Sequence, residues 1–352
     1  MKYSLFISLV VAFLLSLVTS KVIYFGFTPN YAADIFNKQA FKGRLDHDVY
    51  QYRILSKYLL YVVDDWLGSD MPAKGAEPRI LIQTQNGSER FYLAFYYLNT
   101  FFLVLTAMMV VLLLDLERSF LFTVAEKNLI IFLVPILISI TQFTVACYDV
   151  SSYFFQLLIL YIFLRFSPKH YSLSMTIIGL LIILSTLNRE SSALSVSMIS
   201  LLLLTTYGWS RKTITGIGIL AVCFLSTYIA LRYFIVDPKH LHILNIQAGK
   251  LLIDTNMIGL IFWGLFFYLP MAMADSNENK YLIGVFFLFS LPYIITCLKD
   301  GVMWEVRLYV PLFLGSLFLS KLDVSGHVLR ITDFLASLQE LVKKKSVTRH
   351  QG

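Results

Sequence analysis

Ten apolar segments, separated by short polar connectors, restrict this chain to one kind of architecture. The 352 residues are 57% hydrophobic and only 14% charged, which is more apolar surface than a soluble domain of this length can bury. Lipid cannot satisfy backbone N–H and C=O groups, so apolar runs of about 17 to 25 residues must form helices. The alternating pattern of barrel strands is missing. The sequence therefore predicts an all-α, polytopic transmembrane helical bundle.

Hydropathy gives the approximate bounds of the ten predicted spans. They are 4–26, 91–114, 128–147, 152–166, 172–187, 191–209, 214–236, 256–274, 282–298 and 307–320. The first span begins like a signal peptide, but it stays apolar through Phe25, so we expect it to remain as a span. We predict a single transmembrane domain over 1–320, with a long first outer loop at 27–90, and a basic amphipathic cytoplasmic tail over 321–352.

Basic residues in the connectors set the predicted orientation. With the amino terminus inside, the inner connectors and the tail carry Arg118, Lys127, Arg165, Lys169, Arg211, Lys212, Lys280, Arg330 and Lys343 to Lys345. The short outer connectors carry Arg189, Lys239, Lys250, Lys299 and Arg307. This bias favours both termini in the cytoplasm. We expect a multi-pass protein of a bacterial inner (plasma) membrane. The basic residues form no stripe with interleaved aromatics, so we expect no nucleic acid partner.

Residues 51–67 of the first outer loop are predicted to form an amphipathic juxtamembrane helix. Arg53, Ser56, Lys57 and Asp64 fall near one helical face, and aromatic or aliphatic residues occupy the rest. We expect this helix to lie along the outer membrane surface.

Ionisable residues at span ends are costly in lipid, so those on the predicted outer side are candidate site residues. Asp46 and Asp48 flank His47 in the first outer loop. Such carboxylates can act as a general base, bind a cation or orient an acceptor hydroxyl, and the alternative is a solvated loop that caps the following helix. Asp149, at the next outer corner, is a secondary candidate whose alternative role is a turn residue or helix N-cap.

Two later outer corners each carry an arginine and a glutamate. Arg189 and Glu190 interrupt an apolar stretch. The planar guanidinium of Arg189 suits a phosphate, and Glu190 can pair with Arg189 or with a metal. The competing interpretation is a structural salt bridge. Glu305 and Arg307 flank the start of the tenth span. Because they are two residues apart on a predicted helix, we expect them to engage separate partners. For Arg307 we weigh a ligand against simple snorkelling.

Motifs of other chemistries are missing from the sequence. No nucleotide-binding loop, dinucleotide fingerprint, nucleophile elbow or zinc-protease motif occurs. The three cysteines lack C-x-x-C spacing, so neither a disulfide framework nor a zinc site is indicated. Asp237, His240 and His242 form at most a partial metal site.

The layout of the chain resembles the GT-C class of membrane glycosyltransferases. The features that carry this resemblance are Asp46 and Asp48, the 51–67 helix, Arg189 with Glu190, and Glu305 with Arg307. The resemblance implies a sugar donor on a polyprenyl phosphate and inverting transfer to an acceptor hydroxyl on a glycan, lipid or protein at the extracytoplasmic face, in cell-envelope polysaccharide biosynthesis. It is compatible with catalysis with or without a divalent cation, so no cofactor is assigned.

The resemblance also implies a role for each candidate. Asp48 or Asp46 would remove the acceptor proton, and arginines would stabilise the departing phosphate. The implied catalytic residues are Asp48 and Asp46, and the implied substrate-binding residues are Arg53, Asp149, Arg189, Glu190, Glu305 and Arg307.

Two other functions remain open. A polymerase or ligase of lipid-linked polysaccharide units needs the same phosphate and hydroxyl contacts at the same face. A secondary transporter favours charges near the bilayer midplane, broken helices and paired repeats. In this sequence the charges favour one edge, which argues for the enzyme.

Overall fold

The computed structural model describes residues 4–27, 36, 38–39, 41–42, 52–68, 89–116, 119–142, 145–167, 169–235, 254–300 and 305–324. Most of these residues are helical, and none of them forms a strand beyond an isolated bridge between Phe120 and Leu322. The helices are α1 (Leu5–Gly26), α2 (Ile54–Trp66), α3 (Glu89–Leu114), α4 (Val124–Thr141), α5 (Asp149–Phe166), α6 (Tyr171–Asn188), α7 (Ser192–Tyr207), α8 (Arg211–Ile235), α9 (Asp254–Met273), α10 (Asn277–Phe289), α11 (Leu291–Asp300) and α12 (Val310–Ser320).

Six of these helices, α1, α3, α4, α5, α6 and α8, are long and apolar enough to cross a bilayer. Helices α10 and α11 meet at Ser290 with a bend of 60° and add a seventh span if the pair counts as one. Shorter apolar helices are α7, α12 and the 259–273 part of α9. The predictions of an all-α fold and of transmembrane helices are confirmed. Only six or seven spans are long enough by this criterion among the described residues, which is fewer than the ten that we expected.

Helix α1 packs on the bundle through a stripe of small residues. Ser8, Ala12, Ser16 and Ser20 recur every four residues on the buried side, and the helix contacts α3 and α4. The hydroxyl of Ser20 lies 2.5 Å from that of Thr100 on α3. Small side chains allow two helix backbones to approach closely, which is a common way of packing helices in lipid. The larger apolar side chains of α1 face outward, as a lipid-facing helix requires.

Helices α3 and α5 form the centre of the bundle. Helix α3 contacts α1, α2, α4 and α5, while α5 contacts α3, α6, α7 and α12. Many large apolar side chains instead lie on the outside, for example Phe6, Ile229 and Tyr268, each more than half exposed. An exposed apolar surface of this extent is typical of a protein whose surroundings are lipid.

Lys321 links three helices at one end of the bundle, the end with the predicted inner connectors. Its Nζ lies 2.7 Å from Glu126 on α4 and 2.6 Å from Asp275 after α9. Burial opposes the charge of Lys321, but the carboxylates of Asp275 and Glu126 outweigh it and raise its pKa. Glu126 also forms a capping box with Thr123 at the start of α4. Residues 321–324, the start of the expected tail, thus lie against the bundle, and 325–352 fall outside the described residues.

The opposite end collects the predicted outer corners. Helix α5 begins there at Asp149, α6 ends there at Asn188, and α12 begins there at Val310. The third predicted span is shorter than expected, because α4 ends at Thr141 and the chain turns before α5 starts. This turn brings Tyr148 and Asp149 to the end of the bundle, where the candidate residues lie.

Candidate functional site

Six candidate residues from separate stretches of the chain meet at this end and are here called the arginine cluster. Its members are Arg53, Asp149, Arg189, Glu190, Glu305 and Arg307. They form two groups of ion pairs: one joins Arg53 to Glu190, and the other joins the remaining four residues through Asp149 and Arg307. Three guanidinium groups face three carboxylates, so the formal charges of the cluster balance. Except for Glu190, whose side chain keeps 28% exposure, the members are almost entirely buried.

Asp149 is the central acceptor of the cluster. Its side chain is fully buried at the first residue of α5, where the helix N-terminus favours a negative charge. One carboxylate oxygen accepts a hydrogen bond from Nη1 of Arg189, and the other accepts from Nη1 of Arg307 at 3.0 Å. Tyr148 is the N-cap residue of α5, so the alternative role of Asp149 as an N-cap is wrong. The carboxylate instead holds two arginines from distant parts of the chain.

Arg307 and Glu305 bind each other, so the expectation of separate partners is wrong. Nε of Arg307 donates to Glu305 at 2.8 Å, and Nη2 lies 2.7 Å from the same carboxylate. The expectation assumed an α-helix, but Glu305 has an extended backbone and Val306–Leu308 form a single 3-10 turn. This local geometry brings the two side chains together. The hydroxyl of Tyr153 donates to the carbonyl of Arg307 at 2.9 Å and fixes the turn against α5.

Arg53 and Glu190 form a two-pronged ion pair between α2 and the α6–α7 corner. Nη2 of Arg53 lies 2.7 Å from one glutamate oxygen, and Nε lies 3.3 Å from the other. The Arg53 guanidinium also lies 4.0 Å from the ring centroid of Tyr148. Burial works against ionisation of Glu190, but the Arg53 charge outweighs it and lowers the pKa of this carboxyl. Glu190 therefore pairs with Arg53, while its neighbour Arg189 pairs with Asp149.

Helix α2 presents its polar face to the bundle and thereby positions Arg53. Ser56, Leu60 and Asp64 are buried, whereas Trp66 is 76% exposed. Asp64 accepts from Nε of Arg90 at 3.0 Å, which fastens α2 to the start of α3. The predicted amphipathic helix is thus present, with its polar residues bonded to other helices.

Asn188 is a site residue that the sequence reasoning missed. Its fully buried amide oxygen accepts from Ser151 at 2.9 Å and from Ser56, and its nitrogen donates to the carbonyl of Tyr148 at 3.0 Å. Asn188 thereby joins α2, α5 and α6 directly beneath the cluster. A polar amide next to Arg189 at a span end was a visible signal, because an amide buried in lipid needs partners.

Some predicted residues cannot be placed. Asp46, His47 and Asp48 lie outside the described residues, as do Asp237, His240 and His242. Within the part of the chain that the structure describes, no three or more His, Cys, Asp or Glu residues are grouped so that they could hold a metal ion.

Comparisons with known proteins found no match to this chain. No family model matches the chain, and neither a curated protein nor a solved structure does. A functional conclusion therefore depends on the geometry of the cluster and on the layout of the sequence.

Proposed function

We propose that this chain is a membrane glycosyltransferase that moves a sugar from a polyprenyl-phosphate-type donor to an acceptor hydroxyl at the extracytoplasmic face. The observation that carries the proposal is the convergence of Arg53, Arg189 and Arg307 at one end of the bundle. These residues come from three distant stretches of sequence. Gathering three guanidinium groups in a nearly water-free place is costly, and a function that needs phosphate contacts accounts for that cost.

The chemistry of the proposed reaction requires a stabilised leaving phosphate. Planar guanidinium groups match phosphate oxygens with paired N–H donors. Arg189 uses one nitrogen, Nη1, in its bond to Asp149, from a guanidinium that has five N–H donors. The carboxylates hold the arginines in fixed orientations, and preorganised donors of this kind stabilise charge that develops in a transition state.

Proton removal from the acceptor falls to Asp48 or Asp46 in this proposal. Glu190 is a poor general base because Arg53 lowers its pKa. Asp149 and Glu305 also accept hydrogen bonds from arginines, so they act as positioning residues. Residues 46 and 48 come seven and five positions before Arg53 in sequence.

The proposal includes the ten-span topology in a bacterial inner membrane, with both termini cytoplasmic. Six spans are the long helices, one is the bent α10–α11 pair, and α7, α9 and α12 are shorter spans inside or beside the bundle. In this topology the arginine cluster faces the exterior and Lys321 faces the cytoplasm. Helix α2 then lies along the outer surface with Trp66 at the interface.

Transport is the second candidate, and the bend between α10 and α11 favours it. Broken helices often form substrate sites in secondary transporters. The clustered charges, however, lie where helices begin and end, whereas transport favours charges near the middle of the bilayer. A polymerase or ligase of lipid-linked polysaccharide units uses the same contacts as the transferase and remains a variant of the same proposal.

The experiment that tests the proposal compares Asp48→Asn, Asp46→Asn and Arg189→Lys with wild type. Asp115→Asn, an exposed aspartate at the other end of the bundle, is the matched control. Membranes with equal protein abundance receive radiolabelled polyprenyl-phosphate sugars, and labelled glycan products are counted. We expect Arg189→Lys and at least one of the two aspartate variants to lose about a hundredfold or more of the activity, and the control to keep it.

Equal product in all variants would count against the enzyme. If proteoliposomes that contain the protein but no lipid-linked donor take up a solute, the protein is a transporter and the enzyme proposal is wrong.

A further inference from the structure

Arg232, in the last turn of α8, differs from the other arginines at this end of the bundle. No carboxylate among the described residues lies within ion-pair distance of it. Its Nη2 lies 3.5 Å from the hydroxyl of Tyr52, a long hydrogen bond. Its Nε is buried and has no hydrogen-bond partner among the residues that the structure describes. Arg232 thus presents a cation with an unsatisfied donor.

Two tyrosines hold the Arg232 guanidinium in place. It lies 4.8 Å from the ring centroid of Tyr52 and 4.5 Å from that of Tyr228, one helical turn earlier on α8. The aromatic faces attract the cation and restrict its rotamers, so little freedom is lost when an anion binds. The two rings thus hold the guanidinium in a defined position, as a preformed anion site requires.

The position of Arg232 links the arginine cluster to the lipid. Tyr52 directly precedes Arg53, which pairs with Glu190, and the Tyr52 hydroxyl lies 3.5 Å from Nη2 of Arg232. On the same helix Tyr233 and Phe234 are about 80% exposed apolar side chains. One side of Arg232 therefore faces the cluster, and its neighbours in sequence face the bilayer.

We propose that Arg232, together with Tyr52 and Tyr228, binds the phosphate group of a lipid that enters the site from the bilayer. A phosphate supplies several acceptor oxygens, so one group can satisfy Nε and an Nη nitrogen at once. The exposed apolar residues beside Arg232 suit the hydrocarbon chain of the same molecule. That this lipid is the polyprenyl-phosphate donor rests on the proposed function, whereas the phosphate site itself does not.

A purely structural role for Arg232 explains less. Arginine in the last turn of a helix interacts favourably with the helix dipole. That interaction needs no particular orientation of the guanidinium and supplies no acceptor to a buried Nε. The two aromatic contacts and the orphaned donor point instead to a bound anion.

Lipid binding by the purified full-length chain tests the inference. Polyprenyl monophosphate is titrated in detergent and bound protein is measured by native mass spectrometry, for wild type, Arg232→Gln and Arg232→Lys. Arg211→Gln, an exposed arginine at the other end of α8, is the matched control. We expect affinity to fall about tenfold to a hundredfold in Arg232→Gln, less in Arg232→Lys, and not at all in the control.

A second pair of variants guards against misfolding. Tyr228→Phe keeps the aromatic ring that holds the guanidinium and should bind more tightly than Tyr228→Leu, which removes the ring. Wild-type affinity in both Arg232→Gln and Tyr228→Leu would overturn the inference.

Competition identifies the source of the phosphate. Bound labelled polyprenyl monophosphate is competed with equal concentrations of unlabelled polyprenyl monophosphate or of phosphatidylglycerol. Displacement by the first lipid but not by the second supports the donor lipid. Equal displacement by both supports a site for lipid phosphates in general and removes the donor assignment. Equal displacement by inorganic phosphate overturns the lipid part. Binding that depends on Arg232 in a protein that transfers no sugar leaves this inference standing and removes the proposed function. If the protein transfers sugar, but neither the transfer nor lipid binding changes when Arg232 is replaced, the proposed function stands and this inference fails.

Discussion

Arg307 donates a hydrogen bond to Asp149 across 3.0 Å, although the two residues are 158 positions apart in the chain. The same carboxylate also accepts from Arg189. One fully buried aspartate therefore neutralises guanidinium groups that come from two different corners of the bundle, and its loss leaves both arginines short of a partner.

Asp149→Asn is accordingly expected to destabilise the protein strongly. Removing one member of a buried ionic network typically costs about 3 to 5 kcal/mol, because the remaining charges stay buried without compensation. Thermal unfolding in detergent, followed by loss of the monodisperse peak, measures the effect. The double variant Asp149→Asn/Arg189→Gln should recover part of the loss, since it also removes the arginine whose ion pair was with Asp149, whereas Arg307 keeps its bond to Glu305. A wild-type melting temperature for Asp149→Asn would show that the network contributes nothing.

Glu190 predicts a specific acid sensitivity. Arg53 lowers the pKa of Glu190 in the folded protein, so the unfolded chain binds the proton more readily. The stabilisation is therefore present above the ordinary glutamate pKa of about 4.3 and is lost as the pH falls through the lower folded value. Melting curves between neutral pH and pH 3 should show this loss in wild type and a smaller one in Glu190→Gln. Parallel curves would contradict the assignment.

Two glycines of α8 provide a matched pair for the packing of this helix. A Cβ added at Gly216 would lie 2.6 Å from Oη of Tyr171 and 2.9 Å from a methyl carbon of Leu203, whereas at Gly218 nothing lies within 4 Å. Gly216→Ala should cost about 1 to 3 kcal/mol through overpacking against α6 and α7. Gly218→Ala should be neutral or stabilising by up to about 1 kcal/mol, because alanine favours the helix. Equal melting temperatures of the two variants would argue against this contact.

Single cysteines at the two ends of the bundle test the orientation. Trp66→Cys lies at the end of α2, whose N-cap is the cluster residue Arg53, and Lys280→Cys lies in the first turn of α10, near Lys321, in a background with the three native cysteines replaced by alanine. We expect a membrane-impermeant maleimide to label position 66 in intact cells, and position 280 only after permeabilisation. Labelling of both from one side would rule out the topology, and reversed labelling would place the cluster in the cytoplasm.

The sequence predicted the helices well where burial in lipid decides the conformation. Apolar length alone locates α1, α3 and α8 within a few residues, because a lipid-embedded backbone has no alternative to internal hydrogen bonds. It was less successful at the ends of α4 and at residues 305–307. There a turn and a 3-10 segment depend on contacts such as that from Tyr153 to the carbonyl of Arg307.

The candidate residues show the same division. Charge at span ends selected the members of the arginine cluster, since ionisable groups at such positions are expensive and need a reason. It did not show which residues pair. Glu190 bonds to Arg53, 137 positions away, and not to its neighbour Arg189. Glu305 bonds to Arg307, although helical spacing predicted that the two would have separate partners.

The sequence by itself determined that this chain forms apolar helices and that its unusual charges gather at helix ends, because both follow from the local cost of exposing polar groups to lipid. Only the tertiary structure decided the partners: Asp149 between two arginines, Arg53 against Glu190, and Arg232 between two tyrosines. Such pairing depends on how helices far apart in sequence pack against one another, and hydropathy carries no information on that packing.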